Sequence, residues 1–268
     1  MPRRQRLDAE LVRRGLARSR EHAGDLIARG RVSVGGTAAT KAATGVSTDV
    51  ALVVTADPAG PEYVSRGGHK LAGALQRFGP DRMATEERLA LDAGASTGGF
   101  TDVLLRAGVA QVVAVDVGYG QLAWPLRQDP RVTVVDRTNV RDLRPEHLPY
   151  APDLVVADLS FISLSLVLPA LTAVARADAD FVLMVKPQFE VGRGRLGAGG
   201  VVRDAALRTE SVLSVAAAGR TLGLGVLGIC ASPLPGPAGN VEYFIWFRRG
   251  APDVVVADVE RVVSEGPQ

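Results

Sequence analysis

The chain has 268 residues, enough for more than one domain, and its 47% hydrophobic and 22% charged content is that of a folded chain rather than a disordered one. Its single cysteine, Cys230, excludes an intrachain disulfide and a cysteine-built zinc site and points to a reducing cytoplasm; His22, His69 and His147 lack metal-ligand spacing, so no metal is expected. The charged start shows no secretory signal, and the longest apolar stretch, 159–175, carries three serines and Pro169 and falls short of a membrane span.

The net charge is only +2, yet residues 1–41 hold ten basic side chains against four acidic ones, so positive charge is concentrated at one end. Of the 31 basic residues only Lys41, Lys70 and Lys186 are lysine. Arginine cannot lose its proton in a protein, so a site that needs a neutral amine must use lysine. Lys186 directly follows the apolar run 181–185, which sets it apart from a solvated surface lysine.

Residues 6–14 place Leu7 and Leu11 at helical spacing before Gly15, and Ser19 can cap a second helix with Leu26 and Ile27 inward and Gly30 as its stop. Arg31-Val-Ser-Val-Gly-Gly reads as a short strand and tight turn, and 51–55 as a later strand. An arginine-studded helix pair followed by this strand resembles the small RNA-binding domain first described in a ribosomal protein of the small subunit. The chain is therefore divided into a small α+β RNA-binding domain (1–60), a linker (61–64) and a second domain (65–268). Arg4, Arg6, Arg14, Arg18, Arg20 and Lys41 are the candidates for tracking phosphates, with a solvated helical face as the alternative.

Ser65 can cap a helix carrying Leu71, Leu75 and Phe78 inward, with Lys70 on another side. Leu89–Ala93 then reads as a buried strand entering the turn Gly94-Ala95-Ser96-Thr97-Gly98-Gly99-Phe100 and a helix. Gly94 and Gly99 occupy the outer positions of a dinucleotide fingerprint, but Ser96 stands where backbone must touch a pyrophosphate, which disfavours a phosphate ligand. A nucleoside cofactor without phosphate fits better, and S-adenosyl-L-methionine has that shape. A glycine-rich turn alone is usually only a turn. The next strand, 112–115, ends in Asp116, about twenty residues on, where an acid can bind ribose hydroxyls. Asn139, after a third strand at 131–135, is either an adenine contact or a turn residue.

Further strands follow at 153–157, ending in Asp158, and at 180–185, ending in Lys186 before Pro187. The glycine-rich loop 192–200 is expected to be able to move over a substrate. A helix at 205–222 and strands at 226–231 and 241–247, with Glu242 at the start of the last, complete the sheet, and the tail has no readable chemistry. In a parallel sheet, residues beyond the carboxyl ends of strands form the ligand crevice, so Lys70, Asp158, Lys186 and Glu242 are expected near one rim. Phe161 can stack on a turned-out base or belong to the core, and Arg66 and Arg137 are further RNA candidates.

The strings Val64-Ser-Arg-Gly-Gly-His-Lys70, Leu91 to Phe100, Asp116-Val117-Gly-Tyr-Gly to Trp124, Ala157-Asp-Leu-Ser-Phe-Ile-Ser163, Val185-Lys-Pro-Gln-Phe-Glu190 and Gly239-Asn-Val-Glu-Tyr243 resemble the TlyA family of ribosomal RNA 2′-O-methyltransferases. The catalytic domain of that family is related to FtsJ-type enzymes. The resemblance implies an α/β, Rossmann-like class I methyltransferase sheet and a Lys-Asp-Lys-Glu tetrad on Lys70, Asp158, Lys186 and Glu242. It implies a cofactor site at Gly94–Phe100, Asp116, Val117, Asn139 and Asp158, and methyl transfer from S-adenosyl-L-methionine to cytidine ribose in 16S and 23S ribosomal RNA of both subunits. The expected protein is a cytoplasmic monomer without stable membrane association. Its rivals are a noncatalytic ribosome-assembly factor and a membrane-active haemolysin, the latter disfavoured by the lack of a span or amphipathic basic helix.

Overall fold

A computed structural model describes residues 4–17, 19–55 and 62–266, and the chain divides into two compact units, Met1–Glu62 and Tyr63–Gln268. Arg18 and Pro61 lie outside the described residues.

In the first unit, strand β1 (Arg4–Arg6) runs into helix α1 (Leu7–Arg13), followed by α2 (Arg20–Ala28), β2 (Val32–Val34), β3 (Thr37–Ala38), β4 (Gly45–Ser47) and β5 (Leu52–Val54). β1 pairs antiparallel with β4, and β2 sits between β3 and β5. The two helices and the strand at 32–34 appear where the sequence puts them, and the Ser19 hydroxyl does cap α2, accepting from His22 N. Strands β1, β3 and β4 were not foreseen, because two or three residues are too few to show a period. Leu7, Leu11, Leu26, Ile27, Val32 and Val46 form the core.

Two acids buried on α1 organise the arginines around them. Asp8 accepts Arg6 at 2.9 Å and Arg20 at 3.1 Å, and Glu10 accepts Arg13 at 2.6 Å and Arg14 at 2.7 Å. Arg14 also donates to the carbonyls of Val50 (2.7 Å) and Thr48 (2.8 Å), so its guanidinium is built into the fold. A buried carboxylate must be paired, and its donors keep it charged.

The second unit is a seven-stranded sheet built from β6 (Leu89–Ala93), β7 (Gln111–Val115), β8 (Val132–Val135), β9 (Leu154–Ala157), β10 (Asp180–Val185), β11 (Leu224–Ala231) and β12 (Tyr243–Arg249). Its order is β11-β12-β10-β9-β6-β7-β8; all pairings are parallel except those of β12, which is antiparallel to both neighbours. The near-continuous apolar runs of these strands reflect burial on both faces. On β7, Val113 and Val115 face one core while Val112 and Ala114 face the other.

Helices α3 (Arg66–Phe78), α4 (Gly99–Arg106) and α5 (Trp124–Arg127) cover one face. α6 (Leu164–Val174), α8 (Ala205–Thr221) and α9 (Val256–Glu265) cover the other, and the short α7 (Pro187–Glu190) follows β10. The expected α/β class is the observed one. Corrections are local: Leu75 is only half-buried, the Ser65 hydroxyl makes no cap bond to α3, and the tail forms α9, whose Val259 and Val263 are buried in the core. The loop 192–200 is not featureless either. It contains two 3₁₀ turns, and the buried Asn240 ties its far end, accepting from Val202 N at 2.9 Å and donating to Gly200 O at 3.0 Å.

Opposite the carboxyl ends, Asp180 is buried and accepts Trp246 Nε1 at 2.7 Å, Arg248 at 2.8 Å and Arg88 at 3.1 Å, fixing one end of three strands.

The arginine bonds hold the Glu10 carboxyl down, from 4.5 to about 2. A group with a depressed folded value contributes stability above its unfolded value and loses it as pH falls through the folded one. Acid unfolding of the first unit should therefore set in between pH 4.5 and about 2. Glu10→Gln should lower its melting temperature at pH 7 and flatten that acid limb, as read by circular dichroism at a series of pH values.

Candidate active site

Strand order reverses between β6 and β9, and it is there, beyond the carboxyl ends, that an open doubly wound sheet forms its crevice. A cleft of about 460 Å³ lies at this point, lined by the Gly94–Thr97 turn, Gly99, Phe100, the start of α3 and the ends of β9 and β10. The turn is tight. Gly94 has φ +85°, and a Cβ there would come within 2.9 Å of the Asp158 carbonyl oxygen; a Cβ on Gly99 would meet the Gly68 amide nitrogen at 2.8 Å. Glycine is needed at both because backbone packs directly against backbone.

The side chains that reach this cleft form two ammonium–carboxylate pairs. Lys186, 8% exposed, lies 2.6 Å from Asp158 and donates to Ser160 Oγ at 3.0 Å. Lys70, 7% exposed and on α3, pairs at 2.5 Å with Glu242, which is 1% exposed and sits just before β12. Lys70, Asp158 and Lys186 line the cleft, and Glu242 lies behind Lys70. Thus four residues spread over 172 positions meet where the topology predicts. A larger cavity of about 810 Å³ opens between α3, β11 and α9 and contains none of these groups.

Asp116, Val117 and Asn139 stand beyond the turn rather than in the cleft lining. Asp116 Oδ2 accepts Ser96 N at 2.8 Å and Oδ1 accepts Gly118 N at 2.7 Å, so the carboxylate is aimed by backbone before any ribose meets it. Each of its oxygens has a second lone pair for a hydroxyl. Val117 is exposed, and Asn139 Oδ1 accepts Arg141 N at 3.1 Å, closing a 3₁₀ turn as its turn-residue reading foresaw.

Ser160 was missed by sequence reasoning, although its place two residues after the strand-end acid is a usable signal. Phe161 is 91% exposed with φ +64° and lies 5.3 Å from the Phe189 ring, so it is no part of the core. Arg137, also at positive φ, stacks 4.2 Å over the exposed Tyr119, and exposed Arg66 reaches the Pro235 carbonyl at 3.5 Å.

The turn suits a nucleoside without phosphate. The Ser96 amide, which a dinucleotide loop would offer to a pyrophosphate, already donates to Asp116. Carboxylates surround the turn: Asp92 is fully buried at the end of β6, and its carboxyl is pushed up to about 7, first by burial and also by the charges of Asp158 and Asp116, against the hydrogen bond from the Thr101 hydroxyl.

A doubly wound sheet with this turn at its switch point defines an S-adenosylmethionine-dependent methyltransferase, in which Gly94–Phe100 and Asp116 would hold the cofactor. The chain belongs to the FtsJ-like methyltransferase family, whose model matches residues 63–249, and it carries an S4 domain at residues 5–50. It is 58% identical over 272 residues to the 16S/23S rRNA (cytidine-2′-O)-methyltransferase TlyA of Mycobacterium tuberculosis, with all of both chains covered. It is 37% identical to Hemolysin A of Brachyspira hyodysenteriae over 90% of this chain and 99% of that one. A solved structure of a hemolysin-named protein from Streptococcus thermophilus matches with a TM-score of 0.75 at 36% identity, over 99% of this chain and 96% of that one. Among the described residues, no helix is long and apolar enough to cross a membrane and no cluster of side chains could hold a metal ion.

Asp92 yields a stability prediction. An acid raised from 3.8 to about 7 contributes its stability fully below 3.8 and loses it as pH rises through about 7. Denaturant titrations should show the wild type losing stability across that window relative to Asp92→Asn; parallel pH profiles would count against a buried, neutral Asp92.

Proposed function

We propose that this protein transfers a methyl group from S-adenosylmethionine to the ribose 2′-hydroxyl of cytidine in 16S and 23S ribosomal RNA. The observation that carries the reading is the meeting of Lys186, Asp158 and Lys70 beside the Gly94–Phe100 turn, with Glu242 behind. Likeness to the Mycobacterium tuberculosis enzyme supports the substrate. Ribosomal RNA sets the reaction in the cytoplasm, and because one chain supplies the whole constellation, a monomer is a sufficient unit.

When bound, the cofactor supplies an activated methyl group on a sulfonium. The ribose hydroxyl is a weak nucleophile that holds its proton tightly, so the chain must align and deprotonate it. Alignment can contribute about 7–11 kcal/mol, and a positioned base about 10²–10⁴-fold. Lys186 acts as the base in its neutral form: having released one proton to solvent, its Nζ takes the proton of the ribose hydroxyl as the oxygen bonds to the methyl group and the sulfonium leaves as a neutral thioether. Asp158 and Ser160 fix the direction of that amine, while Glu242 holds Lys70 in the lining of the same cleft, where its ammonium meets the charge that develops on the sugar oxygen. Asp116 and Asn139 take the ribose and adenine of the cofactor, and Val117 covers its outer side.

Phe161 stacks on the target base, with Arg66 and Arg137 on neighbouring phosphates. In the first unit Arg4, Lys41, Arg6 and Arg20 meet the RNA backbone, and Arg18 completes the set from outside the described residues. Arg14, a further candidate, already donates to Glu10 and to the Val50 and Thr48 carbonyls, so its guanidinium has less left to offer a phosphate.

Ribose methylation mapped in ribosomal RNA from cells with and without the protein tests the reading directly; unchanged maps in both subunits would refute it. Lys186→Arg keeps the charge but removes the dischargeable proton, and single-turnover methylation should drop by about 10²-fold or more with cofactor affinity retained. Near-native turnover would remove Lys186 as the base. Phe161→Leu should slow methylation while leaving the melting temperature unchanged, since a ring 91% exposed adds little to packing.

A further inference from the structure

We propose that Glu190 is a positioning residue of this centre, a carboxylate that clamps the 158–163 loop to the β10–α7 turn and so fixes how Asp158 and Ser160 bear on Lys186. The inference rests on the methyltransferase reading above.

Pro187 ends the β10 ladder and opens α7, which places Glu190 one helical turn after Lys186. From there it reaches across to a different element. Its Oε1 accepts Leu164 N at 2.9 Å and its Oε2 accepts Ser163 Oγ at 2.5 Å, at the very start of α6. Ser163 is itself the cap of that helix, its hydroxyl accepting Ser165 N at 3.2 Å. Glu190 thereby satisfies a first-turn amide of α6 that would otherwise lack a partner, and brings negative charge to the positive end of the helix dipole. Burial pushes its carboxyl up, and these two hydrogen bonds oppose the shift.

Between Asp158 and Ser163 the loop touches the β10–α7 turn in order along its length. Asp158 and Ser160 meet Lys186, Phe161 meets Phe189, and Ser163 and Leu164 meet Glu190. Phe161, at φ +64°, is in a conformation that a phenylalanine adopts only when its surroundings enforce it. Strand pairing of β9 holds one end of this strained segment, and Glu190 holds the other. With Glu190 truncated, the loop can relax toward an unstrained backbone and carry Ser160 off the amine. Glu190 is not among the residues that line the cleft, so it acts through its neighbours and not on substrate.

The test uses the full-length protein, with single-turnover methyl transfer to ribosomal subunits, calorimetric binding of S-adenosylmethionine and thermal melting. Misplacing a reacting group by an ångström can cost about 10²-fold, so Glu190→Ala should slow turnover by about 10–10²-fold with cofactor Kd within about threefold of wild type. Glu190→Gln should recover most of the rate, because its amide still accepts Leu164 N and donates to Ser163 Oγ. Turnover of Glu190→Ala within about threefold of wild type, or Glu190→Gln as slow as Glu190→Ala, would overturn the proposal. Should Glu190→Ala fail to fold, Ser163→Ala decides: it removes one of the two bonds and should be slower than wild type by about threefold or more, and an unchanged rate would count against the clamp. A wild-type protein inactive on both subunits would refute the methyltransferase reading and not this inference alone.

Discussion

Two ammonium–carboxylate pairs, Lys186 with Asp158 and Lys70 with Glu242, are held largely out of water, and much of the second unit is arranged to keep them so. Desolvating a charge costs several kcal/mol, and a partner offsets that only in fixed geometry. The sequence supplies that fixity with backbone. Glu242 precedes a strand whose first five residues are buried, its carbonyl accepting Ser232 N at 2.8 Å, and Gly236 passes so close that a Cβ there would lie 2.6 Å from Glu242 Oε1. Such pairs add little to net stability. What they provide is direction, and direction is what alignment of a poor nucleophile requires.

Strain is placed accordingly. Four described non-glycine residues have positive φ, and three of them, Ser96, Arg137 and Phe161, lie in the loops that leave the carboxyl ends of the sheet; only Glu87 does not. Strained conformations persist where the surrounding structure over-determines them, and here it does: Ser96 is bonded to Asp116, Arg137 is stacked on Tyr119, and the Phe161 ring meets Phe189. At the other end of the strands, where Glu87 holds the fourth positive φ, the Asp180 cluster with Arg88, Arg248 and Trp246 fixes the sheet from below.

This division explains what the sequence made legible. Doubly buried strands announce themselves as unbroken apolar runs, and a residue directly after such a run has to emerge at the strand end, so the sequence alone places Asp158 and Lys186 there. Lys70 was harder, because a helix position says which side a residue faces but not which strand it meets; the motif resemblance supplied that. The clamp on α6 was hidden because Glu190 and Ser163 are 27 residues apart and join two elements through side chains, a contact no periodicity encodes. In the first unit, short strands and the pairing of arginines to Asp8 and Glu10 were invisible for the same reason: charge counts show an excess but not which charges are already partnered.

That pairing changes how the basic N-terminal unit can act. Arg6 and Arg20 keep half or more of their side chains exposed, at 51% and 60%, while both lean on one buried acid. A guanidinium held in place loses little rotamer freedom when a phosphate arrives, which lowers the entropic cost of each contact. The shared acid also subtracts from the local charge, so salt dependence should be shallower than a tally of arginines implies. Phosphate contacts of this kind orient a protein on RNA without reading sequence. Choice of nucleotide on the proposed reading then falls to the second unit, where the strained, exposed Phe161 stands beside the cleft that holds Lys70, Asp158 and Lys186.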